Sequence, residues 1–328
     1  MSASTSAPIL GIDLGGTKVH LRMALGAEVL LDVRVPTAGH SGLEELVQVA
    51  IGTLRPSAVA VGIAGPVDGR KAHVTNVGWD LDADRLAAAL DGCPVLFAND
   101  MALVAHGLAT LGSEERHTLQ EGQRDPAGAC LVIGAGTGMG TGLFVPGSNG
   151  TPDRYLAGEG GHMTWAPSRE EDSALWRWLR ERFGHVSVER VASGTGLAAL
   201  AEWAREEGQP LAGNVTRALA EGRGVAAALV AAAEAGTCRT SKALLDRFLR
   251  IFGTAVGNAA LTALPTGGIY LAGGVAQKLE KHLVQGGGFL EAMTDKGRMQ
   301  HLIEQLHVSL VTADDVAIRG ALVLARSA

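Results

Sequence analysis

The sequence is poor in cysteine and has no long apolar run, and both absences exclude classes of protein. Its 328 residues include three cysteines, far apart and without a CxxC pair. A disulfide framework or a cysteine-built zinc site is therefore not expected, and Cys93 and Cys130, which flank apolar runs, are interpreted as small core residues. No run approaches a membrane span, and the N-terminus lacks the features of a signal peptide. We expect a soluble, cytoplasmic protein with an unstructured tail over residues 1–8.

An excess of positive charge and several nucleotide-binding motifs are also absent from the sequence. The chain has 28 Lys and Arg against 34 Asp and Glu, so nucleic acid is not an expected partner. It contains no GxxxxGK[ST], HRD or DFG, which excludes P-loop enzymes and protein kinases. The glycines of residues 134–142 never spell GxGxxG, and strand-like Leu143-Phe144-Val145 follows them, so a dinucleotide-dependent oxidoreductase is disfavoured.

Length and apolar patterning predict an α/β protein of two domains, since single cores seldom grow to this size. The first third has the pattern β-β-β-α-β, with its helix from Gly42 to Leu54. At Cys130 a strand, a glycine turn and a second strand begin again, which predicts a structural repeat. We place a small domain at residues 8–111 and a large domain at 112–312. The final helix, capped by Asp314 or Asp315 within residues 313–328, is expected to fold back onto the first domain.

Two glycine hairpins are the strongest local signal, because consecutive glycines leave backbone amides bare, permit positive φ and can point several amides at one anion. A threonine hydroxyl adds a donor in each turn. A third glycine pair follows a later strand, and together they predict a polyphosphate site: Gly15, Gly16 and Thr17; Gly136, Thr137 and Gly138; Gly273 and Gly274. Asp13 leads into the first turn and is predicted to order Mg²⁺ through water. The alternative is that these glycines only make tight turns.

An apolar strand from Pro94 to Ala98 ends on Asn99 and Asp100 and is followed by a helical pattern. Ligands of open α/β sheets gather beyond the carboxyl ends of strands, where an ionised aspartate can accept a proton from a hydroxyl. Asp100 is therefore a candidate general base. The alternative is that Asn99 or Asp100 only caps the helix, since both residue types are favoured N-caps.

Glu159 and His162 stand in a glycine-rich loop, where neither serves a helix. A carboxylate and an imidazole together suit a polyol, because one accepts hydrogen bonds and the other can donate them. Metal binding would need further ligands at suitable spacing, which the neighbouring sequence lacks. Glu189 by itself carries no signal and is typical of a solvated side chain.

At this point the chain resembles the bacterial ATP-dependent glucokinases of the sugar kinase, heat-shock chaperone and actin superfamily. The resemblance runs from Gly11 to about Gly320. Its motifs are GIDLGGT (11–17), AGPVDG (64–69), TNVGWDLD (75–82), FANDMALVAHG (97–107), GAGTGMG (134–140), GEGGH (158–162), GHVSVERVASGTGL (184–197) and LAGGVAQKL (271–279). A related zinc-containing sugar kinase and repressor family carries cysteines after the GEGGH-like loop, and residues 163–176 have none.

The resemblance implies a two-domain actin-like ATPase (ribonuclease H-like) fold, each domain a mixed β-sheet flanked by helices, with the active site in the interdomain cleft. It implies a homodimer that uses ATP and Mg²⁺ to phosphorylate the 6-hydroxyl of glucose. Asp100 matches the catalytic base. The positions that match sugar ligands are Asn99, Glu159, His162 and Glu189, and those that match nucleotide and metal positions are Asp13 and the eight turn residues named above.

The chain departs from the family pattern at Lys18, where Asn is usual, and at Met163-Thr164-Trp165, which replaces Val-Asp-Phe. Glucosamine, N-acetylglucosamine or mannose therefore remains an alternative sugar, and ADP or polyphosphate an alternative donor. A non-catalytic sugar-sensing repressor on the same fold is disfavoured, because only eight residues precede the first predicted strand.

Overall fold

A computed structural model describes residues 7–65, 67–74, 77–148, 151–285 and 288–328. Most of the expected tail over residues 1–8 therefore lies outside the described residues. So do Pro66 of the AGPVDG motif and Thr75 and Asn76 of the TNVGWDLD motif. Within these ranges, no helix has the length and apolar character that crossing a membrane requires.

The regular elements alternate between strands and helices in the first part of the chain and become mainly helical later. In chain order they are β1 (Ile9–Leu14), β2 (Lys18–Leu25), β3 (Glu28–Pro36), α1 (Leu43–Ile51), β4 (Ala58–Ile63), β5 (Val67–Asp68), β6 (Lys71–Val74), β7 (Trp79–Asp82), α2 (Ala83–Ala89), β8 (Val95–Asn99) and α3 (Asp100–Gly107). They continue with β9 (Arg116–Gln120), β10 (Cys130–Ala135), β11 (Met139–Val145), β12 (Arg154–Gly158), α4 (Ser173–Phe183), α5 (Gly194–Glu206), α6 (Gly213–Glu221), α7 (Val225–Glu234), α8 (Arg239–Ala263), β13 (Gly268–Ala272), α9 (Gly274–Lys278), α10 (Glu280–Val284), α11 (Phe289–Thr294), α12 (Gln300–Glu304), β14 (Val308–Val311) and α13 (Val316–Ala325).

The chain divides into two compact units, one ending at Ser113 and completed by Ala313–Ala328, the other spanning Glu114–Thr312. The first unit is built on a sheet of strand order β3-β2-β1-β4-β8, in which β1, β4 and β8 are parallel. Every residue of β4 is buried, as expected for a central parallel strand covered on both faces. Helices α1 and α2 pack on one face of this sheet and α3 and α13 on the other.

A second, small sheet in the first unit was not predicted. Its order is β5-β6-β7, and α2 follows it directly. These strands have two to four residues, too short for an alternating pattern to stand out. Val74, Trp79 and Leu81 join the core beside the main sheet, so tertiary burial holds this segment in place.

The second unit repeats the plan of the first. Its sheet has the order β12-β11-β10-β13-β14-β9. Strand β10 pairs antiparallel with β11 and parallel with β13, as β1 does with β2 and β4. The predicted repeat is thus confirmed. The polar stretch after Gly112 is not a plain connection, because β9 lies in it and pairs with β14 at the sheet edge.

Helix α8 organises the apolar core of the second unit. Leu244, Leu245, Phe248 and Phe252 lie on its buried side at helical spacing. Phe252 also meets Phe289 of α11 with ring centroids 5.4 Å apart. Cys93 in the first unit and Cys130 in the second are buried, which confirms the interpretation of both as core residues.

The start of α13 differs from the expected capping. Asp315 occupies the N-cap position, but its side chain makes no cap hydrogen bond. Its carboxylate instead accepts a hydrogen bond from Arg22 Nη1 of β2 at 2.9 Å and pairs with Arg319 Nε at 2.8 Å. Burial acts to raise the pKa of the Asp315 carboxyl, yet the hydrogen bonds from Arg319 and Arg22 outweigh it and hold that pKa below its ordinary value. A tertiary ion pair has replaced a local cap.

Replacing Asp315 with Asn should destabilise the first unit by about 1–2 kcal/mol at pH 7, because charge-assisted hydrogen bonds are lost from a largely buried pair. A depressed folded-state pKa stabilises the fold above the ordinary value of 3.8 and ceases to do so as the pH falls through the folded pKa. The difference between wild type and Asp315→Asn should therefore narrow below pH 3.8. Urea unfolding at several pH values measures it.

Asp314→Asn is the matched control. Asp314 lies 3.8 Å from Arg34, and its side chain is 81% exposed, so the expected loss is below about 0.5 kcal/mol. Equal destabilisation by the two variants, or a difference that persists in acid, would contradict the role given to Asp315.

Candidate active site

The first unit carries Asp13 and the first glycine turn at the end of β1. The turn is closed by a hydrogen bond from Gly15 N to Lys18 O of 3.0 Å, and Thr17 is exposed. Gly15, Gly16, Gly136 and Gly138 do not use the positive φ that glycine permits. Among the predicted turn glycines only Gly273 has it, at 93°. The hairpins therefore bend within ordinary backbone geometry, and the absence of side chains at their glycines leaves the backbone of the turns uncovered.

Asp13 is a single carboxylate at the end of β1. Burial raises the pKa of the Asp13 carboxyl above its ordinary value, against the opposing effect of His20 and Arg34. In the described part of the chain no group of three or more His, Cys, Asp or Glu could hold a metal ion. That excludes a metal cage of protein ligands there, but Mg²⁺ commonly uses one carboxylate, several waters and substrate phosphates. Asp13 fits that mode of binding.

Asn99 and Asp100 stand at the junction of β8 and α3. Asn99 Oδ1 accepts a hydrogen bond from Met101 N at 2.9 Å and so caps α3, while its Nδ2 donates to Gly65 O at 3.1 Å. Asp100 is the first residue of the helix, is half-buried, and accepts from the same Met101 amide at 2.8 Å. The capping alternative thus holds for Asn99, and the carboxylate of Asp100 stands at the N-terminus of α3, where negative charge is favoured.

Strand register brings the first-unit residues to one edge. Leu14 pairs with Ile63, and Ile63 pairs with Asn99, all in parallel strands. Asp13 and Asn99 are therefore among the last residues of strands that end together, about 10 Å apart across two strand spacings. The structure thus gathers Asp13, the first turn, Asn99 and Asp100 beyond the carboxyl edge of one sheet.

In the second unit, the second glycine turn is joined to Glu189. Gly136 N donates to Gly138 O at 2.9 Å and closes the turn. Glu189 Oε2 accepts a hydrogen bond from Met139 N at 2.9 Å, and a Cβ added at Gly138 would lie 2.2 Å from that oxygen. Glu189, which carried no sequence signal of its own, is therefore held directly against the second turn.

The GEGGH loop packs against the start of β11, next to the Met139 amide that Glu189 binds. Gly160 N donates to Thr141 Oγ1 at 3.0 Å, and Gly161 packs so closely on the Met139 carbonyl that a Cβ there would lie 2.1 Å away. Glu159 and His162 remain largely exposed, with Oε2 and Nε2 3.8 Å apart. Met139 thus contacts Glu189 through its amide and the GEGGH loop through its carbonyl.

The N-terminus of α5 also belongs to this site, although no residue there was singled out from the sequence. Gly194 N donates to Gly136 O at 2.9 Å and Thr195 N to Thr137 O at 3.2 Å. Ser193 caps the helix by accepting from Gly196 N. The signal was present in the SGTGL motif, because a serine followed by glycines is a typical helix start. The first amides of α5 donate within the protein: those of Gly194 and Thr195 bind the second turn, and that of Gly196 binds Ser193 Oγ.

Gly273 completes the second-unit set of residues. Its φ of 93° and a would-be Cβ only 2.5 Å from Ala135 O show that no other residue fits beside the end of β10. Gly274 then begins α9. The second turn and the start of α5, which are hydrogen-bonded to each other, lie beside Gly273 at the end of β10. Glycine turns of this kind suit a phosphorylated nucleotide.

Comparisons with known proteins agree over nearly the whole chain. The family model described as Glucokinase matches residues 10–328. A glucokinase from Nostoc punctiforme is 32% identical over 95% of this chain and 97% of its own length. The crystal structure of a glucokinase from an Antarctic psychrotroph superimposes with a TM-score of 0.83 at 27% identity, covering 98% of this chain and 99% of that one.

A more distant structure shares the fold. The ROK family glucokinase from Streptomyces griseus, solved in complex with glucose and AMPPNP, has a TM-score of 0.64 at 23% identity and covers 98% of this chain and all of that chain. The predicted actin-like two-domain α/β fold class and the family resemblance are both confirmed.

Removing the Glu189 carboxylate should loosen the second turn. Met139 is 6% exposed, and a buried N–H without an acceptor costs about 1–3 kcal/mol. We expect Glu189→Ala to lower the free energy of unfolding by that amount and to speed amide hydrogen exchange at Met139. Glu189→Gln keeps an acceptor oxygen and should behave like wild type in both measurements. Slow exchange at Met139 in Glu189→Ala would contradict the assigned contact.

Proposed function

The chain belongs to the glucokinase family, and on this premise we propose that it transfers the γ-phosphoryl group of ATP to the 6-hydroxyl of glucose, yielding glucose 6-phosphate and ADP. The observation that carries the proposal is the family match over residues 10–328. Every sugar and phosphate motif named above lies within that range. The Nostoc relative that matches over 97% of its own length is named a glucokinase, which supports the same reaction. The Streptomyces structure, solved with glucose and AMPPNP, supports it as well.

We propose Asp100 as the general base. It stands at the carboxyl edge of a parallel sheet and at the first position of α3, where ligands of α/β sheets gather. An ionised aspartate accepts the proton of the attacking hydroxyl as the new P–O bond forms, a contribution of about 10²–10⁴-fold. Most of the remaining acceleration comes from holding the hydroxyl in line with the phosphorus.

We propose that Asn99, Glu159, His162 and Glu189 bind the sugar hydroxyls together with Asp100. The exposed side chains of Glu159 and His162 offer an acceptor and a donor on one loop. Glu189 uses Oε2 for the Met139 amide, which orients Oε1 toward a hydroxyl. Since that same amide follows the second glycine turn, sugar binding and phosphate binding share one rigid segment.

The phosphates are assigned to the two glycine turns, with Gly273 and Gly274 beside the adenosine. The supporting observations are the closed turns at Gly15 and Gly136 and the α5 amides that join the second of them. We propose that Asp13 holds Mg²⁺ through water. When bound, the metal neutralises charge on the transferring phosphoryl group, while the turn amides hold the phosphate oxygens.

Two further proposals rest on the family alone. We propose that the enzyme is a homodimer, to be measured by sedimentation, and that it acts in the cytoplasm. Neither affects the chemistry assigned to Asp100.

Asp100→Asn should retain glucose binding and lose kcat by about 10²–10⁴-fold, because the amide keeps the shape and helix-start preference of the side chain but cannot take a proton. A coupled assay gives kcat, and tryptophan fluorescence gives the glucose affinity. Asp91→Asn, at an exposed position in the loop before β8, should change neither. Near-normal turnover by Asp100→Asn would remove Asp100 from its role.

The alternative substrates are separated by one assay of the purified enzyme over several hexoses and donors. We expect glucose with ATP and Mg²⁺ to give the highest kcat/KM, ahead of mannose, glucosamine and N-acetylglucosamine, and ATP to exceed ADP and polyphosphate. A chelator should abolish turnover, and added Mg²⁺ should restore it. A higher kcat/KM for an amino sugar would favour the alternative that the substitutions at Met163, Thr164 and Trp165 leave open.

A further inference from the structure

The helix that carries Asp100 makes unusually close contacts on the back of the first unit. Leu103, one turn after Asp100, lies over Gly62 of β4, and a Cβ added at that glycine would be 2.0 Å from Leu103 Cδ1. Leu103 is fully buried together with Ile318 and Ala321 of α13. The depth of α3 on the sheet is therefore fixed by the absence of a side chain at Gly62.

The same helix interlocks with α13 through a reciprocal pair of glycines. A Cβ added at Gly320 would lie 1.7 Å from Leu103 O, and one added at Gly107 would lie 2.2 Å from Val316 O. In each case the obstacle is backbone, which cannot rotate away as a side chain can. The two helices thus meet at main-chain contact, on both sides of the crossing.

Helix α13 is itself fixed at two places. Arg22 of β2 holds Asp315 at its N-terminal end by a 2.9 Å hydrogen bond. Helix α13 also packs closely on Gly11 of β1, since a Cβ added at Gly11 would lie 2.9 Å from Ala321 Cβ. Since both helices are held against the sheet, the contact between α13 and α3 cannot widen without displacing α3 as well as α13.

We propose that Gly320, with Gly107 opposite it, is a positioning residue for phosphoryl transfer, setting the place of Asp100 along and above the sheet. Asp100 begins an eight-residue helix that ends at Gly107. Leu103 lies one turn after Asp100, so a shift at Leu103 is carried to Asp100 within that turn. A side chain at position 320 would displace α3 by about 1 Å, and a misplacement of that size can cost a reaction about 10²-fold. The inference rests on the proposed role of Asp100.

Gly320→Ala and Gly107→Ala test it, with Gly253→Ala as the matched control. Gly253 of α8 meets Phe289 O of α11, and a Cβ there would lie 2.1 Å from that oxygen. It is therefore the same kind of backbone obstacle, placed in the second unit. All three variants should lower the midpoint of thermal unfolding.

We expect kcat per folded enzyme to fall about 10- to 100-fold in Gly320→Ala and Gly107→Ala, with KM for ATP within about twofold of wild type. Gly253→Ala should keep kcat within about twofold. A kcat for Gly320→Ala equal to that of Gly253→Ala would overturn the inference, as would loss of activity explained entirely by loss of folded protein.

Should Gly320→Ala fail to fold, Leu103→Val provides a second test. It takes one methylene from the contact with Gly62 and should lower kcat about threefold or more without changing KM for ATP; an unchanged kcat contradicts the proposal. Asp100→Asn separates this failure from failure of the proposed function. If that variant stays active, the role of Asp100 is wrong; if it is inactive while Gly320→Ala turns over normally, only the positioning role is wrong.

Discussion

Parallel pairing of buried strands is the constraint on which the candidate site depends. In the first unit β1, β4 and β8 run in one direction and end in register, so the residues that follow them collect at one edge. In the second unit β10 and β13 do the same for the second turn and Gly273. The apolar residues of these strands pack in the core, and their polar residues Asp13 and Asn99 stand where the strands end.

A second constraint is close backbone approach. Gly161 lets the GEGGH loop reach the Met139 carbonyl, and Gly320 lets α13 reach α3. Each contact brings main chain to a distance that any side chain would prevent, and each lies one short segment from a proposed functional group. The proposed functional groups are thus positioned by close main-chain packing, which resists displacement far better than side-chain contacts do.

Two carboxylates of the first unit, those of Asp13 and Asp315, have different surroundings. Burial raises the pKa of the Asp13 carboxyl above its ordinary value. For Asp315 burial also acts to raise the pKa of the carboxyl, but the hydrogen bonds from Arg319 and Arg22 outweigh it and lower that pKa. Of these two carboxylates, that of Asp315 is satisfied by ion pairs within the fold, and that of Asp13 is the one for which we propose a bound Mg²⁺.

The sequence by itself determined most strands of the two large sheets, the glycine turns, a helix start at Asn99 or Asp100 and the family, because these depend on local hydrogen bonding, backbone freedom and motif spacing. It also placed the Asp100 candidate at a strand end. Only the tertiary structure decided that Glu189 bonds to Met139, that Asp315 pairs with Arg22, and that Gly320 meets Leu103. Those partners are separated by 50, 293 and 217 positions, and no periodicity or propensity links residues that far apart; packing of the completed sheets and helices does.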